Sequence, residues 1–219
     1  MSLSPSILTV LNNGMIFRLR KPVSGNPSRV HVLLHGWTGD ENSMNPFWNY
    51  FPAEDWLIAP RAPQAADPAG YGWAQIKNNL YPGYKDFLPA AEQLVIVLKR
   101  LCTENHILME NINLIGFSQG AAISYLLAAL IPEAIHNIVS IAGFLPDGTL
   151  AELDRKGNRS NKFAILHGAV DKLVPVQMAK ETVDQLNGIG YTTTFCIDEK
   201  AGHKLGAACV PDLIKFVTE

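Results

Sequence analysis

The stretch INLIGFSQGAAISYLLAALI, residues 112–131, joins a strand pattern to a helix pattern with almost nothing between them. Residues 112–117 are an apolar run of strand length, and 119–131 are rich in small and apolar residues, as a helix packed on a sheet would be. Ser118 sits at the corner, with Gly116 two places before it and Gly120 two places after. So sharp a corner strains the backbone and lifts the hydroxyl clear of the sheet edge. Side chains two residues to either side would collide with that backbone, and glycine removes the collision. Ala121 and Ala122 keep the start of the helix close to the sheet. The hydroxyl also stands at the amino end of the helix, where unpaired N–H groups and a positive partial charge favour an oxyanion. The pattern therefore presents a nucleophile. Its plainer alternative is a serine helix cap between two packing glycines.

Outward from this corner, strand-like and helix-like segments alternate. Residues 14–20, 29–36, 55–60, 136–144, 162–168 and 191–198 read as strands. Residues 84–104, 176–190 and 207–217 read as helices, the first with Phe87, Leu94, Leu98 and Leu101 at three- to four-residue spacing. Pro211 falls in the first turn of the last. Several strands are apolar on both faces, the mark of a mostly parallel central sheet covered by helices on both sides. Ligands in such α/β folds gather at the carboxyl ends of the strands. No repeat or low-complexity linker divides the chain, so a single domain over 1–219 is expected, without a separate cap domain.

The bulk properties narrow the function. The chain has 219 residues, 47% hydrophobic and 17% charged, with a net charge of −2. No basic stripe is present, so no nucleic-acid partner is expected. The N-terminal segment lacks a basic n-region and a long enough apolar run for a signal peptide. No run reaches the ~18 consecutive apolar residues of a membrane span. Cys102, Cys196 and Cys209 are odd in number and lack C-x-x-C spacing. They are expected to be reduced, packed thiols in a cytoplasmic protein.

A serine hydroxyl is a weak nucleophile at neutral pH and needs a base, usually histidine, oriented by a carboxylate. In this type of fold the order along the chain is Ser, then Asp or Glu, then His. His136, His167 and His203 follow Ser118. His203 lies past the strand 191–198 beside Gly202, in a loop able to reach the carboxyl edge. His136 precedes its strand, at the other edge, and His167 is the remaining rival. For the acid, Asp171 follows the strand 162–168, and Asp147, after the preceding strand, is the alternative. Acyl transfer also needs donors for the developing oxyanion. The backbone N–H of Gln119 is one, and that of Trp37, first past His35-Gly36, is the candidate for the other. His35 is expected to brace that loop.

Two segments, 35–52 and 61–84, are rich in Gly, Pro and aromatics. Loops as long as the second tend to be binding loops or lids. Trp48, Tyr71, Trp73, Tyr81 and Tyr84 are candidates to wall an apolar acyl or alcohol pocket, with Tyr71 and Trp73 as the expected substrate contacts. An exposed aromatic loop could equally serve a homodimer interface.

The pieces LLHGWTGDEN (33–42), APRAPQ (59–64), GYGW (70–73), LIGFSQGAA (114–122), HGAVDKLVPV (167–176) and GH (202–203) stand in an order that spans nearly the whole chain. On these the sequence resembles the alpha/beta-hydrolases, and more narrowly the phospholipase/carboxylesterase family, which includes acyl-protein thioesterases. The resemblance implies a triad of Ser118, Asp171 and His203, oxyanion amides from Trp37 and Gln119, no metal and no cofactor. It implies a carboxylesterase acting on a small-molecule acyl ester, with thioesterase or lysophospholipase activity as the near alternative and a non-catalytic binding module as the remote one. Two departures stand out. Ala121 replaces a glycine common in the family, and Trp37 replaces a smaller aliphatic residue, which would narrow an acyl channel.

Overall fold

The computed structural model describes residues 6–10, 15–23, 29–77 and 81–218. Ten strands run in chain order: β1 (Ser6–Val10), β2 (Ile16–Arg20), β3 (Val30–Leu34), β4 (Trp56–Pro60), β5 (Gln64–Ala65), β6 (Tyr71–Gly72), β7 (Ile112–Phe117), β8 (Ile135–Ile141), β9 (Lys162–Gly168) and β10 (Thr192–Asp198). The helices are α1 (Tyr84–Glu104), α2 (Gln119–Leu130), α3 (Thr149–Lys156), α4 (Val176–Gly188) and α5 (Val210–Thr218). Eight strands form one sheet in the order β1-β2-β4-β3-β7-β8-β9-β10. From β4 to β10 every pairing is parallel, while β1 and β2 are antiparallel additions at one edge. This is the alpha/beta-hydrolase fold.

The period-2 geometry of a strand sends successive side chains to opposite faces, and here both faces are apolar. Val30, Val32 and Leu34 of β3, Ile112 and Leu114 of β7, and Phe163 and Ile165 of β9 join α1 to α4 in one core layer. Leu33, Ile115, Ala164 and Leu166 point the other way, into a smaller layer closed by α5 and a 3-10 turn over Asn45–Tyr50. Helix α2 is buried from Gln119 to Ala129, packed against β7, β8, α1 and α3. That accounts for its all-round apolar sequence. Each fully buried leucine or isoleucine there contributes about 1.5–3 kcal/mol by removal from water.

Some of the structure differs from the sequence reading. Strand β1 was not expected, and its place is an outer edge, where Ile7, Leu8 and Val10 stay exposed and no two-sided apolar pattern is imposed. Helix α3 was also not expected. Its eight residues bury only Thr149 and Leu153, too little to leave a readable stripe. Strand β8 stops at Ile141 rather than 144, because Ala142 turns the chain with φ 49°. The expectation of three reduced thiols is overturned. Cys196 and Cys209 form a disulfide, with Cα atoms 5.8 Å apart, and Cys102 alone is free among the described residues. Spacing could not show this, since the two residues meet only through the packing of α5 beneath the sheet. Among the described residues, no helix is long and apolar enough to cross a membrane.

Candidate active site

Ser118 leaves β7 with φ 52° and ψ −116°, a backbone setting that L residues rarely hold. Its N–H donates to the Ile141 carbonyl at 2.8 Å, and its carbonyl accepts from Ala121 at 3.0 Å, so the corner is fixed from both sides. The flanking glycines have the steric role their positions suggest. A Cβ on Gly116 would strike the backbone of Gly120 and Ala121, and one on Gly120 would strike the Leu34 carbonyl oxygen. The strain is thus held in place by close approach of α2 to β3 and β7.

His203 and Asp171 reach this corner from two neighbouring strand ends. The imidazole Nε2 lies 2.9 Å from Ser118 Oγ, and Nδ1 lies 2.8 Å from Asp171 Oδ2. A carboxylate only accepts, so Nδ1 carries the proton and Nε2 is left free to accept from the serine hydroxyl. Asp171 is buried. Its other oxygen, Oδ1, accepts from the N–H groups of Leu173 at 2.8 Å and Val174 at 3.0 Å, which fixes the carboxylate plane. The two loops are tied together. Ala169 N–H donates to the Asp198 carbonyl and Val170 N–H to the Ala201 carbonyl. Gly168 makes this possible, since a Cβ there would collide with the carbonyls of Ala201 and Gly202.

The rivals lie elsewhere. His167 donates from Nε2 to the Val174 carbonyl at 2.8 Å and is buried. Burial pushes its pKa down, against the pull of that hydrogen bond and of Asp171, so it sits neutral behind the acid. His136 is at the start of β8, away from this edge. Asp147 uses its carbonyl to accept from Tyr84 at the start of α1.

Trp37 and Gln119 both border the cavity that opens at Ser118. Among the described residues, neither backbone N–H donates to a backbone carbonyl. His35 braces the Trp37 loop. Its Nε2 accepts from Ala62 N–H at 3.0 Å, so Nδ1 donates to the Gly36 carbonyl at 2.7 Å. Burial lowers its pKa and keeps this tautomer neutral. Farther along the same loop, the Glu41 carboxylate takes a two-pronged contact from Arg61, Nε to Oε2 at 2.6 Å and Nη2 to Oε1 at 3.0 Å.

Trp73 and Tyr71, the expected substrate contacts, do not line the cavity. Trp73 is fully buried, and its indole N–H donates to the His35 carbonyl at 2.8 Å. Tyr71 lies under the Arg61 guanidinium, 4.6 Å from its ring, and its hydroxyl accepts from Arg61 at 3.1 Å. Both aromatics brace the loop that carries Trp37, Trp73 through the His35 carbonyl and Tyr71 through its N–H to the Gly39 carbonyl. Trp48 packs in the opposite core layer. Of the aromatics expected to wall a pocket, Tyr81 does so. The other walls of the ~490 Å³ cavity are Ile76, Phe117, Phe144, Leu173 and Val174. Leu173 had a readable signal: it is apolar, two residues beyond Asp171, and stays 66% exposed. Trp37, Thr38 and Phe117 border both this cavity and a second one of ~390 Å³, and Gly72 clears the space for the Trp37 indole ring.

One residue carries more than the sequence suggested. The Gln119 side chain is buried and accepts at Oε1 from the N–H groups of Trp73 and Ala74, at 2.6 and 3.3 Å. Its Nε2 donates to the Ala74 carbonyl at 2.7 Å. These bonds pin the 71–74 segment onto the start of α2.

Residues 24–219 match a family model described as Phospholipase/Carboxylesterase. Acyl-protein thioesterase 1 of Debaryomyces hansenii is 29% identical over 229 residues, covering 94% of this chain and 97% of that protein. Among solved structures, a carboxylesterase of Bacillus cereus superposes with a TM-score of 0.81 at 19% identity, covering 94% of this chain and 95% of that one. Esterase PE8 superposes with a TM-score of 0.77 at 24% identity, over 91% and 96% of the two chains.

Proposed function

The chain belongs to the phospholipase/carboxylesterase family, and from that premise we propose that it is a serine carboxylesterase acting on small to medium acyl esters through a covalent acyl-enzyme. The observation that carries the reading is the unbroken line from Asp171 through His203 to Ser118, with both contacts under 3 Å. His203 takes the serine proton at Nε2 as Oγ attacks the ester carbonyl. Asp171 holds the tautomer and stabilises the imidazolium. The carbonyl oxygen, now negative, is received by the N–H groups of Trp37 and Gln119, a pair whose members are each worth about 3–4 kcal/mol of barrier in comparable sites. His203 then protonates the leaving alcohol, and water repeats the sequence to release the acid. The apolar walls at Phe117, Phe144 and Leu173 suit an acyl or alkyl group.

Thioester cleavage is the second reading, favoured by the names of the thioesterase relatives. Against a long acyl chain stands the bulk of Trp37, which borders both cavities. The reading keeps the chain in the cytoplasm, although the Cys196–Cys209 bond counts against a reducing compartment. The test is a chain-length series of p-nitrophenyl esters and acyl-CoA thioesters, with Ser118→Ala as control. Ser118→Ala is expected to lose about 10⁵- to 10⁶-fold in turnover. Wild-type turnover in that variant, or no labelling of Ser118 by a fluorophosphonate, overturns the proposal.

A further inference from the structure

The loop that carries His203 leaves β10 at Asp198 and returns to the core through a 3-10 turn at Ala207–Cys209. Two ties close its base. The Asp198 carboxylate spans it: Oδ1 accepts from Lys200 N–H at 2.9 Å and Ala201 N–H at 3.1 Å, and Oδ2 accepts from Ala208 N–H at 3.0 Å. The second tie is the disulfide, which joins Cys196, on β10, to Cys209 across a separation of 13 residues that contains His203. Cys209 is fully buried against Leu166 and Leu213, so this end is anchored in the core. Between Gly202 and Gly206, backbone hydrogen bonds among the described residues stay local, Lys204 to Gly202 and Cys209 to Gly206. The stretch that holds the imidazole is therefore fixed by its ends, by Leu205 packed on the core, and by the contacts of His203 itself. Neither cysteine lines the cavity at Ser118.

We propose that the Cys196–Cys209 disulfide positions His203, so that a dithiol reductant lowers turnover while leaving substrate binding in place. This rests on the reading of His203 as the general base. The step balances as follows. A thiolate of the reductant attacks the sulfur of Cys196, which is half-buried and the more open of the two. The S–S bond breaks, and Cys209 leaves as a thiolate that takes a proton. The second thiol of the reductant attacks the mixed disulfide, frees Cys196 as a thiol, and closes the reagent's own disulfide, a two-electron oxidation. The base of the loop is then held by the Asp198 carboxylate and by the bond from Val170 N–H to the Ala201 carbonyl. Cys196 and Cys209 act through His203 and are positioning residues.

The test uses the full-length protein purified without reductant. Alkylation after unfolding counts the thiols before and after dithiothreitol, followed by kcat and KM on p-nitrophenyl butyrate and by amide exchange across 199–206. One thiol, Cys102, is expected before reduction and three after. Because small misplacements of a catalytic group are costly, kcat is expected to fall about tenfold or more on reduction. KM is expected to stay within about twofold, since the apolar walls at Ile76, Tyr81, Phe117, Phe144 and Leu173 lie outside this loop. Exchange at 199–206 should quicken, reoxidation should restore kcat, and Cys102→Ser should respond as the wild type does. Three thiols before reduction overturn the proposal. So does an unchanged kcat with all three thiols free, unchanged exchange in the loop, or global unfolding on reduction, which would make the bond a support of the fold instead. The exchange result stands without an ester assay: loss of protection in a chain that cleaves no ester would sink the esterase reading and leave the positioning role intact.

Discussion

Replacing Asp171 by asparagine keeps the size and shape of the side chain, removes its negative charge, and turns one of its two ends from an acceptor into a donor. The structure decides which end. Oδ1 receives two backbone N–H groups, at 2.8 and 3.0 Å, and backbone donors cannot reverse their direction. The amide oxygen must therefore take the Oδ1 position, and the NH₂ group must face His203 Nδ1, 2.8 Å away. Two donors cannot share that contact, so the imidazole moves its proton to Nε2. That nitrogen sits 2.9 Å from Ser118 Oγ and can no longer accept the serine proton. A wrong-tautomer lesion of this kind costs about 10⁴ in kcat in serine proteases, or ~5 kcal/mol at ~1.36 kcal/mol per tenfold. The expected result is a folded Asp171→Asn protein with near-normal KM, turnover down by about that factor, and slow fluorophosphonate labelling. Steady-state kinetics on p-nitrophenyl butyrate, with circular dichroism to establish folding, measure it. Turnover within about tenfold of wild type in a folded variant would refute the tautomer argument.

Acid should destabilise the fold as the buried histidines are forced to take up protons. His31, His35 and His167 are buried, and burial pushes each pKa below the ordinary histidine value, for His31 against the opposing pull of Asp55 at 2.9 Å. The unfolded chain then binds more protons than the native one below about pH 6.5, so stability is complete above that pH and lost as pH falls, by up to ~1.4 kcal/mol per unit for each histidine kept neutral. Urea melts between pH 7 and 5 measure the slope, and a flat profile would contradict it. Gln119→Ala removes the partner of two buried backbone N–H groups and a carbonyl on the 71–74 segment, while leaving its own backbone N–H beside Ser118. A loss of about 1–3 kcal/mol for each group left unpaired is expected in urea denaturation. Unchanged stability would show that the segment is held by other contacts.

The corner at Ser118 was legible because its cause is local. A serine between two glycines, after a strand and before a helix, is written in five neighbouring letters; a Cβ on Gly116 would meet Gly120 and Ala121 a few residues on, while one on Gly120 would meet Leu34 of β3, which only the fold brings near. The central strands were legible for a related reason: sheets covered on both faces leave few polar positions, as the fully buried β3 shows. Strand β1 and helix α3 escaped because each buries too little to impose a pattern. The pocket walls escaped for a different cause. Aromatic content marks Trp73 and Phe144 alike, but whether a ring faces a cavity or the back of a loop depends on what packs against it. Trp73 is held by the His35 carbonyl, while Phe144 meets Tyr81 at the cavity wall.

The sequence by itself determined the order of the central strands and of the longer helices, the strained serine and the short roster of partners that follow it. Tertiary structure decided among them. It brought His203 rather than His167 to Ser118, gave Asp171 rather than Asp147 to the imidazole, turned Trp73 inward, and joined Cys196 to Cys209. The reason lies in range. Backbone sterics and periodicity act over a few residues and are written in neighbouring letters. The hydrogen bond between Asp171 and His203, 32 residues apart, exists only because loops from two adjacent strand ends are packed together, over a glycine too small to keep them apart.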